Sequence, residues 1–201
     1  MNYLAHLILS EDYEFVKIGN FIADSIKGRK YESYPDKIQV GILLHRQIDW
    51  FTDNHTIVKQ SKRRLDCRYG HYKGVIIDIL YDHFLAKNWQ EYSNIPLKEF
   101  TGDFYRILHE NFDILPERTQ YLYAFMKEQD WLTNYANLEG IERVLIGMNR
   151  RTKGISQMHL SIHDLKEHYL DFEKDFSLFF KKLRNFSAKK LIELNKEFDI
   201  S

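Results

Sequence analysis

The chain has 201 residues, with 29 Lys+Arg balanced by 29 Asp+Glu; 44% of the residues are hydrophobic and 15% aromatic. That length and apolar content suit one folded domain with a sizeable core and speak against a disordered chain. A formal net charge of zero speaks against a polybasic coat, so neither nucleic acid nor a membrane surface is an expected partner.

The opening residues, MNYLAHLILSEDYEF, carry no basic leader, and their apolar run breaks at His6 and again at Ser10-Glu11-Asp12. They do not read as a signal peptide. No stretch approaches the roughly 18–20 apolar residues of a spanning helix. The single Cys67 has no partner for an internal disulfide, and a reducing, cytoplasmic location is expected. Along the chain, helices are predicted near 2–11, 14–27, 36–53, 55–66, 71–91, 97–113, 117–130, 138–151 and 160–184. Pro35, Pro96 and Pro116 each precede one of them, as suits proline at a helix start. Val40, Leu44, Ile48 and Phe51 form one helical stripe. Residues 74–89, GVIIDILYDHFLAKNW, are apolar on nearly every side and read as a central buried helix. Ile162, Leu165, Tyr169, Phe172, Phe176, Phe179 and Leu183 step by three or four and make the longest stripe. Alternation with a period of two is absent. The expected fold is all-α, a single compact helical bundle over 1–201, with 185–201 as a peripheral or frayed end.

Charge sits where apolar side chains are expected. Asp78 and Asp82 share one face of the apolar 74–89 helix, and His83 comes directly after. His45 and Asp49 repeat the four-residue spacing, with Asp53 one turn on and Arg46 beside them. Asp24 closes the apolar segment GNFIAD, and Asn2 and His6 lie four apart at the start. Burying such carboxylates is costly without a cation or hydrogen-bond donors. The set His6, Asp24, His45, Asp49, Asp82 and His83 offers imidazole and carboxylate without thiolate, which suits Mn²⁺, Fe²⁺, Mg²⁺ or Zn²⁺. Helical bundles build metal sites from facing helices in this way. The same residues also have a structural reading, as core groups bonded to arginines and to some of the 13 tyrosines. His163-Asp164 reads as capping or surface structure, and Cys67 as a surface thiol.

Three basic groups are candidate surfaces for a phosphate or an acidic partner: Lys27, Arg29 and Lys30; Lys59, Lys62, Arg63, Arg64, Arg68 and Lys73; and Arg150, Arg151 and Lys153. No GxSxG, GxxxxGK[ST], GxGxxG or HExxH motif is present.

MNYLAHL, GNFIADSIKG, GILLHRQIDWFTDNH, DILYDHFLAKNW and GMNRR, in this order from Met1 to about Leu183, closely resemble the bacterial acyl carrier protein phosphodiesterase family. The resemblance implies a divergent relative of the His-Asp (HD) metal phosphohydrolases. The implied reaction is hydrolysis of 4′-phosphopantetheine from holo-acyl carrier protein, with a divalent metal, typically Mn²⁺, with Mg²⁺, Fe²⁺ or Co²⁺ as other choices. Asp24 looks like the family's essential aspartate, His45 and Asp49 like its replacement for the usual His-Asp dyad, Asp82 and His83 like further site residues, and His6 like its N-terminal histidine. In this reading His6 or His83 protonates the leaving serine, and Arg46, Arg150 or Arg151 neutralises the phosphate. Carrier proteins are acidic, so the clusters at 27–30 and 59–73 are candidate docking surfaces. Two rivals are a phosphohydrolase for a nucleotide or other small phosphate ester, and a non-catalytic protein that binds the carrier.

Overall fold

The computed structural model describes residues 1–200 and is built from helices, with no strand among the described residues. The described residues form eleven α-helices, with short 3₁₀ turns in half of the connections: α1 Tyr3–Ile8, α2 Glu14–Ile22, α3 Asp36–Asn54, α4 Thr56–Arg64, α5 Lys73–Lys87, α6 Leu97–Glu110, α7 Glu117–Glu128, α8 Trp131–Asn134, α9 Leu138–Arg151, α10 Ser161–Glu167 and α11 Tyr169–Glu197. Among the described residues, no helix is long and apolar enough to cross a membrane. Pro35, Pro96 and Pro116 stand at the N-caps of α3, α6 and α7, where their fixed φ and missing N–H cost no helical hydrogen bond.

Helices α2 and α3 approach closely, and two glycines make this possible. A Cβ at Gly19 would lie 2.1 Å from the Ile38 carbonyl oxygen, and one at Gly41 would lie 2.2 Å from that of Val16. Only a residue without a side chain lets the two backbones meet, and this contact brings the end of α2 against the middle of α3. Helix α5 runs through the core with Ile76, Ile77, Leu80, Tyr81, Phe84 and Leu85 buried, as its all-round apolar sequence predicts. Helix α11 packs along α3, α4 and α5, burying Phe172, Phe176, Phe179, Phe180 and Leu183.

Two elements differ from the sequence-based expectation. The predicted 160–184 helix is two helices, broken at His168 (φ −111°, ψ 27°); the apolar stripe keeps step across the break, so periodicity hides it. Helix α11 then continues unbroken past 184 to Glu197, the helical one of the two alternatives for 185–201, with Ser187 and Leu191 buried. The one-turn helix α8 has no counterpart among the predicted elements; it starts at Asp130 in the left-handed region (φ 45°), a conformation that non-glycine sequence does not advertise.

Candidate metal centre and cleft

Three segments converge on one point: α1 carries His6, the turn after α2 carries Asp24, and α3 carries His45 and Asp49 one turn apart. The His6 and His45 rings stack at 4.0 Å and 17°. Asp49 bridges them, with Oδ1 3.2 Å from His6 Nε2 and Oδ2 3.0 Å from His45 Nε2. Asp24 Oδ1 lies 3.4 Å from the same His45 nitrogen. Among the described residues, His6, His45 and Asp49 form the one group whose donor atoms, all within 4.8 Å of one another, could hold a metal ion.

The tautomer of His45 decides what this cluster needs. Asn20 is fixed by its amide N–H₂, which donates to the His6 carbonyl (3.0 Å) and to Ser10 Oγ (3.0 Å). Its Oδ1 and its main-chain oxygen therefore both face His45 Nδ1, at 3.1 and 2.9 Å. Two acceptors require a proton on Nδ1. In the neutral ring, Nε2 then presents a lone pair toward two carboxylates, and this buried atom has no aligned hydrogen bond. Such an arrangement demands positive charge at Nε2, either a proton or a metal ion. Burial works to lower the His45 pKa, but the Asp24 and Asp49 carboxylates outweigh it and raise it to about 9. His6 responds oppositely: burial, reinforced by the His45 charge, lowers it to about 4, so its imidazole stays neutral, with Nε2 facing the Met1 carbonyl at 3.1 Å as well as Asp49. Burial alone would raise Asp49, but both histidines and the Met1 amino group hold it well below the usual carboxylate range. Asp24 is also held low, first by His45 beside it. The donor set, two imidazoles and one or two carboxylates around a point that calls for a cation, fits a divalent ion of the Mn²⁺, Fe²⁺ or Zn²⁺ type.

Asp82 and His83 are not brought into this cluster. Asp82 is fully buried and accepts from the backbone N–H groups of Leu4 (2.7 Å) and Ala5 (3.2 Å). It satisfies the free donors at the start of α1, a capping role, and burial pushes its carboxyl up to about 7 against the pull of those donors. Asp78, one turn earlier on α5, lies 3.1 Å from the Met1 amino group. The pair on α5 thus grips the beginning of the helix that carries His6. His83 has both nitrogens engaged elsewhere, Nδ1 with the Tyr135 carbonyl (2.8 Å) and Nε2 with the Tyr169 hydroxyl (2.8 Å), so the expected ligand and proton donor is a tie between helices. Arg46 is also turned away: its guanidinium donates to the Ile26 and Gly28 carbonyls and lies over the Tyr31 ring. It fastens the loop after Asp24.

The basic groups separate in the same manner. Arg64 pairs with buried Asp175, Lys62 with Asp53 and Arg29 with Glu32. Arg63 and Lys27 are exposed. Arg150 and Arg151 line a cleft of about 860 Å³ that also reaches Asp24, His45, Asp49 and Asp78. Sequence reasoning passes over Asn20, although a buried asparagine in the apolar GNFIAD segment is the same kind of signal as the aspartates. It also passes over Arg118 and Arg143, two further cleft-lining arginines that no local pattern singles out. His163-Asp164 behaves as expected, since Asp164 accepts from Asp66 N–H and the Tyr69 hydroxyl and tethers the α4–α5 connection.

The family model described as "Acyl carrier protein phosphodiesterase" matches residues 1–183. Proteins of that name from Photorhabdus laumondii (34% identical, covering 90% of this chain and 91% of the relative), Pectobacterium atrosepticum (34%, 91% and 95%) and Yersinia enterocolitica (31%, 96% and 100%) are similar over nearly their whole lengths. No solved structure gives a significant match. The cluster-bearing segments, from His6 to Asp49, and the cleft-lining arginines of α7 and α9 all fall inside the matched region, and this chain belongs to the acyl carrier protein phosphodiesterase family.

Proposed function

We propose that the chain hydrolyses the phosphodiester joining 4′-phosphopantetheine to the serine of holo-acyl carrier protein, giving apo-carrier and 4′-phosphopantetheine, and that it uses one or more divalent metal ions, Mn²⁺ first among them. The observation that carries the metal is His45 Nε2, a buried nitrogen aimed at two carboxylates with its other nitrogen committed as a donor to Asn20. His6, His45 and Asp49 would hold the ion, with Asp24 beside them. When bound, a divalent ion acidifies water toward neutral pH and offsets phosphoryl charge.

The remaining work falls to the chain's own groups. Asp24, 70% exposed at its side chain, faces the cleft while touching His45, and orients the attacking water by accepting its hydrogen bond. Asn20 holds the His45 ring so that Nε2 stays directed at the site. Arg150 and Arg151 draw the anionic diester into the cleft. The bundle folds as one unit around this site, and the carrier comes to it in the cytoplasm, a location in keeping with the lone thiol of Cys67.

The test is incubation of the purified protein with holo-acyl carrier protein, with Mn²⁺ and with chelator, and then intact-mass measurement of the carrier. Loss of the phosphopantetheine mass only with metal supports the reading. An unchanged carrier in the presence of bound Mn²⁺ sinks it in favour of a smaller phosphate ester, and an unchanged carrier with no metal bound sinks the metal assignment as well.

A further inference from the structure

The cleft carries charge of both signs. Its lining carries Asp24, Asp49 and Asp78 together with arginines: α9 contributes Arg143, Arg150 and Arg151 beside Gly147 and apolar side chains, and α7 adds Arg118. Elsewhere on the surface Arg29, Arg64, Arg68 and Arg106 are each paired with a carboxylate. Among the described residues, no carboxylate lies within ion-pair distance of Arg118, Arg143, Arg150 or Arg151. Four unneutralised guanidinium groups facing one cleft form an anion-binding arrangement.

Two details narrow where the anion sits and where the group attached to it runs. Tyr3 lines the cleft with its ring against Phe21, and its hydroxyl has no hydrogen-bond partner among the described residues. Burial is the first cause that keeps this hydroxyl protonated and raises its pKa to about 12; the charges of Asp24 and Asp82 add to it and those of Arg151 and Arg118 oppose it. It is a donor on a cleft that Asp24, Arg118 and Arg151 also line. Gly147 lies on the cleft face of α9, where an added Cβ would meet nothing within 4 Å. The missing side chain leaves a gap between Arg143 and Arg151, one turn to either side. Val75 and Ile79 of α5 and Val144 and Met148 of α9 give the same cleft apolar lining.

We propose that Tyr3, Arg118 and Arg151 form the seat of the scissile phosphodiester, and that the gap at Gly147 is the track along which the uncharged, extended arm attached to that phosphate lies. This inference rests on the phosphodiesterase reading above: it assigns the phosphate to the end of the cleft beside Asp24 and the arm to the α9 face. It also separates two kinds of recognition, charge at Arg118 and shape at Gly147.

The test uses the full chain and two probes, 4′-phosphopantetheine and pantetheine, the same arm without its phosphate, with binding measured by calorimetry. Removing a hydrogen bond to a charged group corresponds to roughly a 10- to 100-fold loss of affinity. Arg118→Gln and Tyr3→Phe are expected to lose about that factor for 4′-phosphopantetheine and to leave pantetheine unchanged. Gly147→Leu is expected to weaken both probes and to raise KM for holo-carrier with little change in kcat. Arg106→Gln, paired on the remote surface, is the control and should behave as wild type. Arg118 is exposed and Gly147 borders open space, so both variants are expected to fold, which circular dichroism checks. Wild-type affinity for 4′-phosphopantetheine in Arg118→Gln, in a protein whose parent cleaves holo-carrier, overturns the seat and leaves the phosphodiesterase reading standing. Wild-type affinity for both probes in Gly147→Leu overturns the track. A parent that neither cleaves holo-carrier nor binds either probe overturns both together with the reading on which they rest.

Discussion

The crossing of α2 and α3 gives a sharp test of how the fold builds the centre. In Gly41→Ala, the new Cβ lies 2.2 Å from the Val16 oxygen, 2.8 Å from the Asn20 nitrogen and 2.8 Å from the Gly19 Cα. All three are backbone atoms, so no side chain can swing aside. Restoring ordinary contact moves α2 away by roughly 1 Å, and because only backbone can yield, the cost sits near the upper end of overpacking, about 3 kcal/mol. Replacing a helical glycine by alanine returns about 1 kcal/mol through propensity. The clash wins, and the net loss is about 2 kcal/mol, a fall in Tm of roughly 4–8 °C for a chain of this size. Gly102→Ala is the matched control, since Gly102 is exposed in α6 with nothing near its missing Cβ; it is expected to gain up to about 1 kcal/mol. The two substitutions, chemically identical, thus move Tm in opposite directions, as read by scanning calorimetry and urea unfolding. Because Asn20 rides on α2 and holds His45 Nδ1 at 2.9 Å, Gly41→Ala is also expected to weaken Mn²⁺ binding about 10- to 100-fold, the usual effect of losing a ligand's outer partner. A Gly41→Ala protein as stable as wild type would refute the reasoning.

The same geometry sets other outcomes. Mn²⁺ at about 100 times its Kd is expected to stabilise the wild type by about 2.7 kcal/mol; thermal-shift titration of His45→Ala should find that gain absent. Asp24→Ala is expected to fold normally by circular dichroism and to lose turnover of holo-carrier, and a fully active, metal-replete variant contradicts its role. Asp82 has a folded-state pKa of about 7 against 3.8 for an ordinary aspartate, so its contribution is fully present below about pH 4 and is lost as pH rises through 7. Urea unfolding from pH 4.5 to 8 should therefore show wild type losing roughly 2–4 kcal/mol relative to Asp82→Asn, and parallel pH profiles would count against the burial argument.

Helical periodicity makes most of the fold legible, because α3, α5 and α11 bury residues spaced for one face or for all faces. The break at His168 is not legible, since Leu165 and Phe172 stay in register on either side of it. Charge in apolar context singles out His6, Asp24, His45 and Asp49, and these four meet. The same signal points equally to Asp82 and His83, because a buried carboxylate that caps a neighbouring helix and one that joins the His6–His45 cluster look alike in one dimension. What separates them is the partner 78 residues away, the N–H of Leu4. Arg118 and Arg143 carry no local mark; they become a pair only when α7 and α9 turn toward one cleft.

That capping contact has a consequence for the order in which the protein is made. Helix α1 has six residues, too few to persist alone in water, and the carboxylate that holds it belongs to residue 82. At roughly 5–20 residues per second, a ribosome needs several seconds to get from the first turn to its anchor. Over that interval His6 hangs on an unformed segment while α2 and α3, adjacent in sequence, can already meet at Gly19 and Gly41. The nascent chain is therefore expected to hold half a centre, His45 with Asp49, until α5 arrives to seat α1 and deliver the last imidazole.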